Sequence, residues 1–120
     1  MVSEPSSARA AQATAVGVQH VFNPITEDVT ALVRKLGDGR GAYAVFDCAG
    51  IQAAFDVGLS SVRAKGLIVQ VANYETALVI KTPNLITRRQ INIVGSNIYT
   101  RTEFQEVIDA ITSGIQAISF

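Results

Sequence analysis

Residues 42 to 47 read Ala-Tyr-Ala-Val-Phe-Asp, a run apolar on both faces. That pattern suits a parallel strand covered by helices on either side, because a strand with one wet face alternates instead. The segments around it obey the same logic. Helix-like and strand-like stretches alternate along the chain with little spare linker, which is the signature of βαβ units. The fold class predicted is therefore α/β, a nucleotide-binding type of parallel sheet with flanking helices.

The remaining segments fill in that plan. Ser6 to Val16 is Ala-rich, opens after Pro5 and closes at Gly17, as a short helix would. Val18 to Phe22 is a brief strand stopped by Asn23-Pro24. Thr26 is a good N-cap for a helix over Glu27 to Leu36, with Val29, Leu32, Val33 and Leu36 at helical spacing. After the strand ending at Asp47, the positions Ile51, Ala54, Phe55, Gly58, Leu59 and Val62 line one helical face, and Gly66 ends that segment. Leu67 to Val71 is the next strand. Asn73 to Arg89 is less regular, with β-prone Ala77 to Ile80 and a break at Pro83-Asn84, and predicts an edge ribbon. Ile91 to Gly95 is the last buried strand. Thr102 then caps a helix with the stripe Phe104, Val107, Ile108 and Ile111, ending at Gly114. The closing segment, Ile115 to Phe120, is apolar and has neither turn nor polar tail, the look of a cut end.

Composition removes several functional classes. At 120 residues, 48% apolar and 17% charged, the chain has the core material of one globular domain and is not disordered. Ten Lys and Arg balance ten Asp and Glu, so no net field gathers nucleic acid or an anionic membrane surface, and neither is an expected partner. One Cys and one His cannot supply the three or four protein ligands of a zinc site, and Cys48 alone makes no intrachain disulfide. No apolar run approaches the roughly 20 residues of a spanning helix, and the start lacks the features of a signal peptide. A cytoplasmic location is the expectation.

Candidate chemistry gathers at strand ends, where open α/β sheets bind their ligands. Glu4 follows the first strand stub and is placed to accept hydrogen bonds from both hydroxyls of an adenosine ribose, repelling a 2′-phosphate. Taken alone, a Glu before Pro is far more often a solvated turn residue. Arg9 lies about one turn into the next helix, beside the same ribose or exposed on a helix face. Asp47-Cys48-Ala49-Gly50 closes a buried strand, where Asp47 is a natural cap for the Ile51 helix and Cys48 a small packed hydrophobe. Val69-Gln70-Val71 and Gly95-Ser96-Asn97-Ile98 are further strand ends with backbone groups free for a ligand or for a loop. Gly37, Gly39 and Gly41 follow a helix and precede a strand, the reverse of a phosphate cradle, and no GxGxxG occurs. His20 has no Ser or Cys partner at recognisable spacing, and Arg88-Arg89 reads first as a solvated charge on the ribbon, with phosphate contact the alternative.

Taken in order, Ser3-Glu4-Pro5-Ser6, Val21-Phe22-Asn23-Pro24, Phe46-Asp47-Cys48-Ala49-Gly50, Ala64-Lys65-Gly66 and Gly95-Ser96-Asn97-Ile98-Tyr99 resemble the zinc-dependent medium-chain alcohol dehydrogenases. The match is best to the 2,3-butanediol dehydrogenase-like branch with its sorbitol and threonine dehydrogenase relatives, and runs over nearly the whole chain. The resemblance implies the later part of a coenzyme-binding domain, a partial NAD(P)-binding Rossmann domain over residues 1–120 with no separate catalytic domain. It assigns Glu4 the ribose-recognising acidic position and Arg9 the neighbouring basic one, so NAD(H) is the implied cofactor. Cys48, Ala49 and Gly50 would line the adenosine and pyrophosphate side, and backbone groups near Val69, Val71 and Ile98 would face the nicotinamide carboxamide. Leu78, Val79 and Ile80 resemble the family's subunit-contact strand, implying a homodimer.

Two departures limit what this chain does alone. The family's first strand and glycine-rich turn precede the position of Val2, and its catalytic zinc ligands lie further upstream. Neither is present, so the Rossmann sheet is expected to be incomplete. In the order 3-2-1-4-5-6 the missing strand is central, and the sheet must split or pair anew. Marginal folding, helped by dimer pairing, follows as an expectation. The rival readings are a non-catalytic dimerisation or interaction module and, less favoured, an S-adenosylmethionine-dependent methyltransferase, which also wants the absent glycine-rich turn.

Overall fold

The computed structural model describes residues 1–113; the helix end expected at Gly114 and the apolar segment Ile115 to Phe120 lie outside the described residues. The chain forms two compact units, Asp28–Asn97 and a second made of Met1–Glu27 with the chain from Ile98. Among the described residues the strands form two parallel sheets, with two strands in the terminal unit and three in the Asp28–Asn97 unit.

In the terminal unit, β1 (Val2–Ser3) pairs with β2 (Val21–Phe22), joined by α1 (Ser7–Ala15). Glu4 N donates to Phe22 O at 2.9 Å, continuing the ladder one residue past β1. The Asn23 turn explains why the next helix starts late. Asn23 O accepts from the amides of Thr26 and Glu27, and Glu27 Oε2 accepts from Asn23 N at 2.6 Å. Thr26 is thereby used up in the turn, and Asp28 caps α2 (Val29–Leu36) by accepting from Ala31 N at 3.0 Å. A similar shift occurs at α5 (Arg101–Thr112). Thr100, not Thr102, is its N-cap, because Glu103 stands three residues on and closes a capping box with it. The stripe Phe104, Val107, Ile108 and Ile111 remains partly open to solvent, each 37–52% exposed.

The larger unit holds β3 (Ala42–Asp47), α3 (Gln52–Ser61), β4 (Val62–Gln70), α4 (Pro83–Arg89) and β5 (Asn92–Gly95), with strand order β3-β4-β5. Phe55, Leu59, Val62, Ile68 and Ile91 form its core, onto which Val45, Tyr74, Leu78, Leu85, Ile86 and Ile93 pack. Of the predicted α3 face, Phe55, Gly58 and Leu59 are buried, whereas Ile51 precedes the helix and is exposed. β3 is less covered than its composition suggests. It is the edge strand of its sheet, and Tyr43 and Phe46 stay about two-thirds exposed.

Two segments depart from the sequence reading. Strand β4 begins at Val62 rather than Leu67, because Val62 already pairs with Ala42 and the register then shifts so that Leu67 pairs with Ala44. Gly66 therefore lies inside the strand, not at a helix end. Gly41 (φ +104°) brings the chain into β3, and a Cβ there would run into the Ser61 carbonyl. The expected edge ribbon is the second departure. Residues 77–80 form no strand, and Pro83 starts α4 where the sequence predicts a break, since its fixed φ and missing N–H suit a first helical turn. Leu85 and Ile86 then face the core.

Replacing Phe55, 1% exposed, should test how much of the unit depends on this cluster. We expect Phe55→Ala to cost about 3–5 kcal/mol, read as a lost or much earlier urea transition. An unchanged midpoint would mean the core is elsewhere.

Candidate functional site

At the end of β1, Glu4 is held from two directions. Its Oε1 accepts from Ser6 N at 2.7 Å and from Arg9 Nη2 at 2.8 Å. The helix α1 sets this up, with Ser6 as N-cap and Arg9 one turn inside the helix. The carboxyl is held below the ordinary carboxylate range, chiefly by the Arg9 hydrogen bond and then by the Ser6 amide. Arg9 is raised in return. Glu4 and Arg9, which the sequence reading set beside one ribose, thus form an ion pair at a strand end, and both point their polar atoms to partly exposed space.

The Asp28–Asn97 unit has its own strand-end arrangement. Asp47, 5% exposed, ends β3 and does not cap α3, whose N-cap Ile51 carries no side-chain bond. Its Oδ1 instead accepts from Ala49 N (3.0 Å) and Gly50 N (3.2 Å), turning the chain back at once. Its Oδ2 accepts from the Tyr74 hydroxyl, and its backbone carbonyl accepts from Val71 N and Ala72 N at 3.0 Å each. Burial first, and the bond to Asp47 second, push the Tyr74 phenol well above its ordinary range, so it stays a donor. Gly50 (φ +64°) lies so close to the Asn73 carbonyl that a Cβ there would collide with it.

Beside this knot lies a groove of about 430 Å³ lined by Ala49, Gly50, Ile51, Gln52, Asn73, Glu75 and Thr76. Cys48, expected to be packed, is exposed; it, Ala49 and Gly50 lie at the same strand end as Val71, whose side chain is exposed, while Val69 is buried in β4 and offers only backbone. Ile98 belongs to the terminal unit, is 83% exposed and has φ +55°. The predicted site residues therefore divide, with Glu4, Arg9 and Ile98 in one unit and Cys48, Ala49, Gly50, Val69 and Val71 in the other.

Tyr74 and Gln52 escaped the sequence reading. Gln52 Nε2 donates to Val79 O and its Oε1 accepts from Val79 N, both at 2.9 Å, so the backbone edge expected to pair with a second copy is already taken at Val79. Counting partners for a buried Asp47 would have pointed to a hydroxyl such as Tyr74. Nothing in the pattern marked Gln52. Among the described residues no three His, Cys, Asp or Glu side chains gather into a metal-holding group, and with one Cys and one His the residues present do not fit a zinc ion.

The sequence pattern of the zinc-binding dehydrogenases matches residues 1–113. The chain belongs to that family. It is 34% identical over 95 residues to the L-threonine 3-dehydrogenase of Pyrococcus horikoshii, a match covering 79% of this chain and 27% of the relative. It is 31% identical over 114 residues to the 2-dehydro-3-deoxy-L-galactonate 5-dehydrogenase of Pseudoalteromonas atlantica, covering 95% of this chain and 33% of that protein. Among solved structures, an Escherichia coli oxidoreductase/dehydrogenase of unknown specificity superposes with a TM-score of 0.84 at 26% identity, over 94% of this chain and 32% of the other. The chain thus spans about a third of the length of the proteins it matches, and its fold is that of the Rossmann-type alcohol dehydrogenases.

The Glu4–Arg9 pair makes a pH prediction. With a depressed folded pKa, the carboxylate's contribution to stability is full above its unfolded value of about 4.3 and is lost as pH falls through the lower folded value. In Arg9→Gln the Glu4 midpoint, followed by carboxyl carbon NMR, should rise. An unmoved midpoint would show that the pair does not form in solution.

Proposed function

We propose that the chain is the coenzyme-binding portion of an NAD-dependent zinc alcohol or polyol dehydrogenase, acting on secondary alcohols of butanediol or sorbitol type. The observation that carries the coenzyme reading is the Glu4 carboxylate, fixed at a strand end by Ser6 and Arg9. Oε2 of a carboxylate so fixed is available for ribose hydroxyls, and its charge disfavours a 2′-phosphate. When bound, the nicotinamide ring of NAD accepts a hydride; the protein's share is to hold and orient it. Ala49 and Gly50 line the groove proposed for the adenosine and pyrophosphate side, with Cys48 just before them in the chain, and the backbone near Val69 and Val71 is assigned to the carboxamide side. The names of the two curated relatives both place oxidation at a carbon inside a chain, a secondary alcohol in each case, which supports the substrate class.

On this reading the 120 residues bind coenzyme weakly and do not oxidise alcohol unaided. They lack a glycine-rich turn and a zinc ligand set. A second reading, a dimerisation module, is favoured by the exposed Val79 and Ile80, 56% and 40% accessible. With the Val79 backbone held by Gln52, contact would be made by side chains rather than by a shared ladder.

Amide NMR titration separates the readings. NAD⁺ should shift Glu4, Ser6 and Arg9, NADP⁺ should bind at least tenfold more weakly, and Glu4→Gln should narrow that gap. Equal binding of the two coenzymes would remove the assigned role of Glu4. For the pairing surface, Val79→Asp should move the chain to monomer size on gel filtration, while an unchanged elution volume would refute a contact there.

A further inference from the structure

The balance of charge over the chain conceals a strong local imbalance. Between Asp28 and Asn97 there are eight Lys and Arg against five Asp and Glu, and the rest of the chain has the opposite excess, two against five. Five of those eight cations, Arg34, Arg40, Arg63, Lys65 and Arg89, line one groove of about 590 Å³. Three elements and one turn build it: the end of α2, the Gly37–Gly41 turn before β3, the shifted stretch at the start of β4, and the end of α4. Lys65 sits at φ +57° within that stretch, displayed by the register shift rather than by a regular strand.

What holds these side chains is neutral. Arg34 Nη2 donates to Ser60 O at 3.2 Å, Arg89 Nη1 to Val62 O at 3.4 Å, and the Arg63 guanidinium lies 4.5 Å from the centre of the Tyr43 ring. Carbonyls and a ring orient a guanidinium without cancelling its charge. Only Arg40 has a carboxylate partner, Asp38, at a loose 3.7 Å and largely in water. Among the described residues Arg34, Arg63, Lys65 and Arg89 make no ion pair. The unit's other acids are engaged elsewhere: Asp28 caps α2, Asp47 binds Tyr74, Asp56 binds Lys81 at 2.5 Å, and Glu75 borders the other groove.

We propose that this groove is a binding site for a multivalent phosphoanion, a small molecule with two or more phosphates. Its volume is that of a small-ligand pocket. Planar guanidiniums in several orientations suit the many oxygens of linked phosphates. A nucleic acid would ask for a stripe of charge along a surface, whereas these cations surround one concavity. The site is separate from the proposed coenzyme site, for it lies at the amino ends of β3 and β4, and six residues of β3 alone span about 17 Å to the Asp47 end.

The test is calorimetric titration of the full chain with inorganic tripolyphosphate in 150 mM salt, repeated with ATP at pH 7.5 and with citrate. Saturable tripolyphosphate binding is expected, weakened at least tenfold by Arg63→Gln and by Arg40→Gln, unaffected by Arg9→Gln, and falling as salt rises. Arg40 is exposed, so its variant keeps the test valid should Arg63→Gln lose the native circular dichroism spectrum. ATP binding lost in the same two variants would assign the site to nucleotide phosphates; ATP binding insensitive to them, with tripolyphosphate sensitive, would assign it to free polyphosphate. No tripolyphosphate binding, equal affinity for citrate, or binding unmoved by Arg40→Gln would overturn the proposal. Failure of the coenzyme titration would leave these outcomes unchanged, because Glu4 takes no part in them.

Discussion

A single buried carboxylate organises the carboxyl end of the three-stranded sheet. Asp47 accepts from the two amides that follow it and from the Tyr74 hydroxyl, while its own carbonyl collects the amides of Val71 and Ala72. A charge so far removed from water is tolerable only with such a full set of donors. The turn into α3, the exit from β4 and the position of the 72–76 segment are therefore one structure, with Gly50 pressed against Asn73 as its tightest point. The groove beside it inherits its shape from that arrangement, and so does the path by which Gln52 reaches Val79.

The alternation of helices and strands was legible because hydrophobic period is a property of the chain itself. The helices and strands of the parallel plan appear near their expected places, and Phe55 and Leu59 lie on the anticipated face of α3, whereas β5, expected to be buried, is largely exposed. The errors sit where two local signals compete. Thr26 and Thr102 are good caps by type, but Asn23 captures the amide of the first, and Glu103 selects Thr100 over the second. Pro83 stops one structure and starts another equally well, and only the burial of Leu85 and Ile86 decides between them. Gly66 reads as a helix end until the pairing of Val62 with Ala42 is known.

Of the candidate site, the sequence placed Glu4 and Arg9 near one strand end but not the bonds between them. Those bonds depend on Ser6 capping α1 and on Arg9 lying in its first turn. The cluster of cations was not readable, because its members come from residues 34 to 89 and meet only through the register of β3 with β4. Net charge, summed over the whole chain, averaged it away.

The bond pair between Gln52 and Val79 lets one side-chain amide stand where a neighbouring strand would, and Lys81 and Asp56 extend the same connection. Such a graft is vulnerable to slow chemistry in a way a backbone ladder is not. Hydrolysis of the amide to a carboxylate would replace its donor with a negative oxygen facing both the Val79 carbonyl and Asp56. The loop over α3 would then come loose as the protein ages, with no change in any strand.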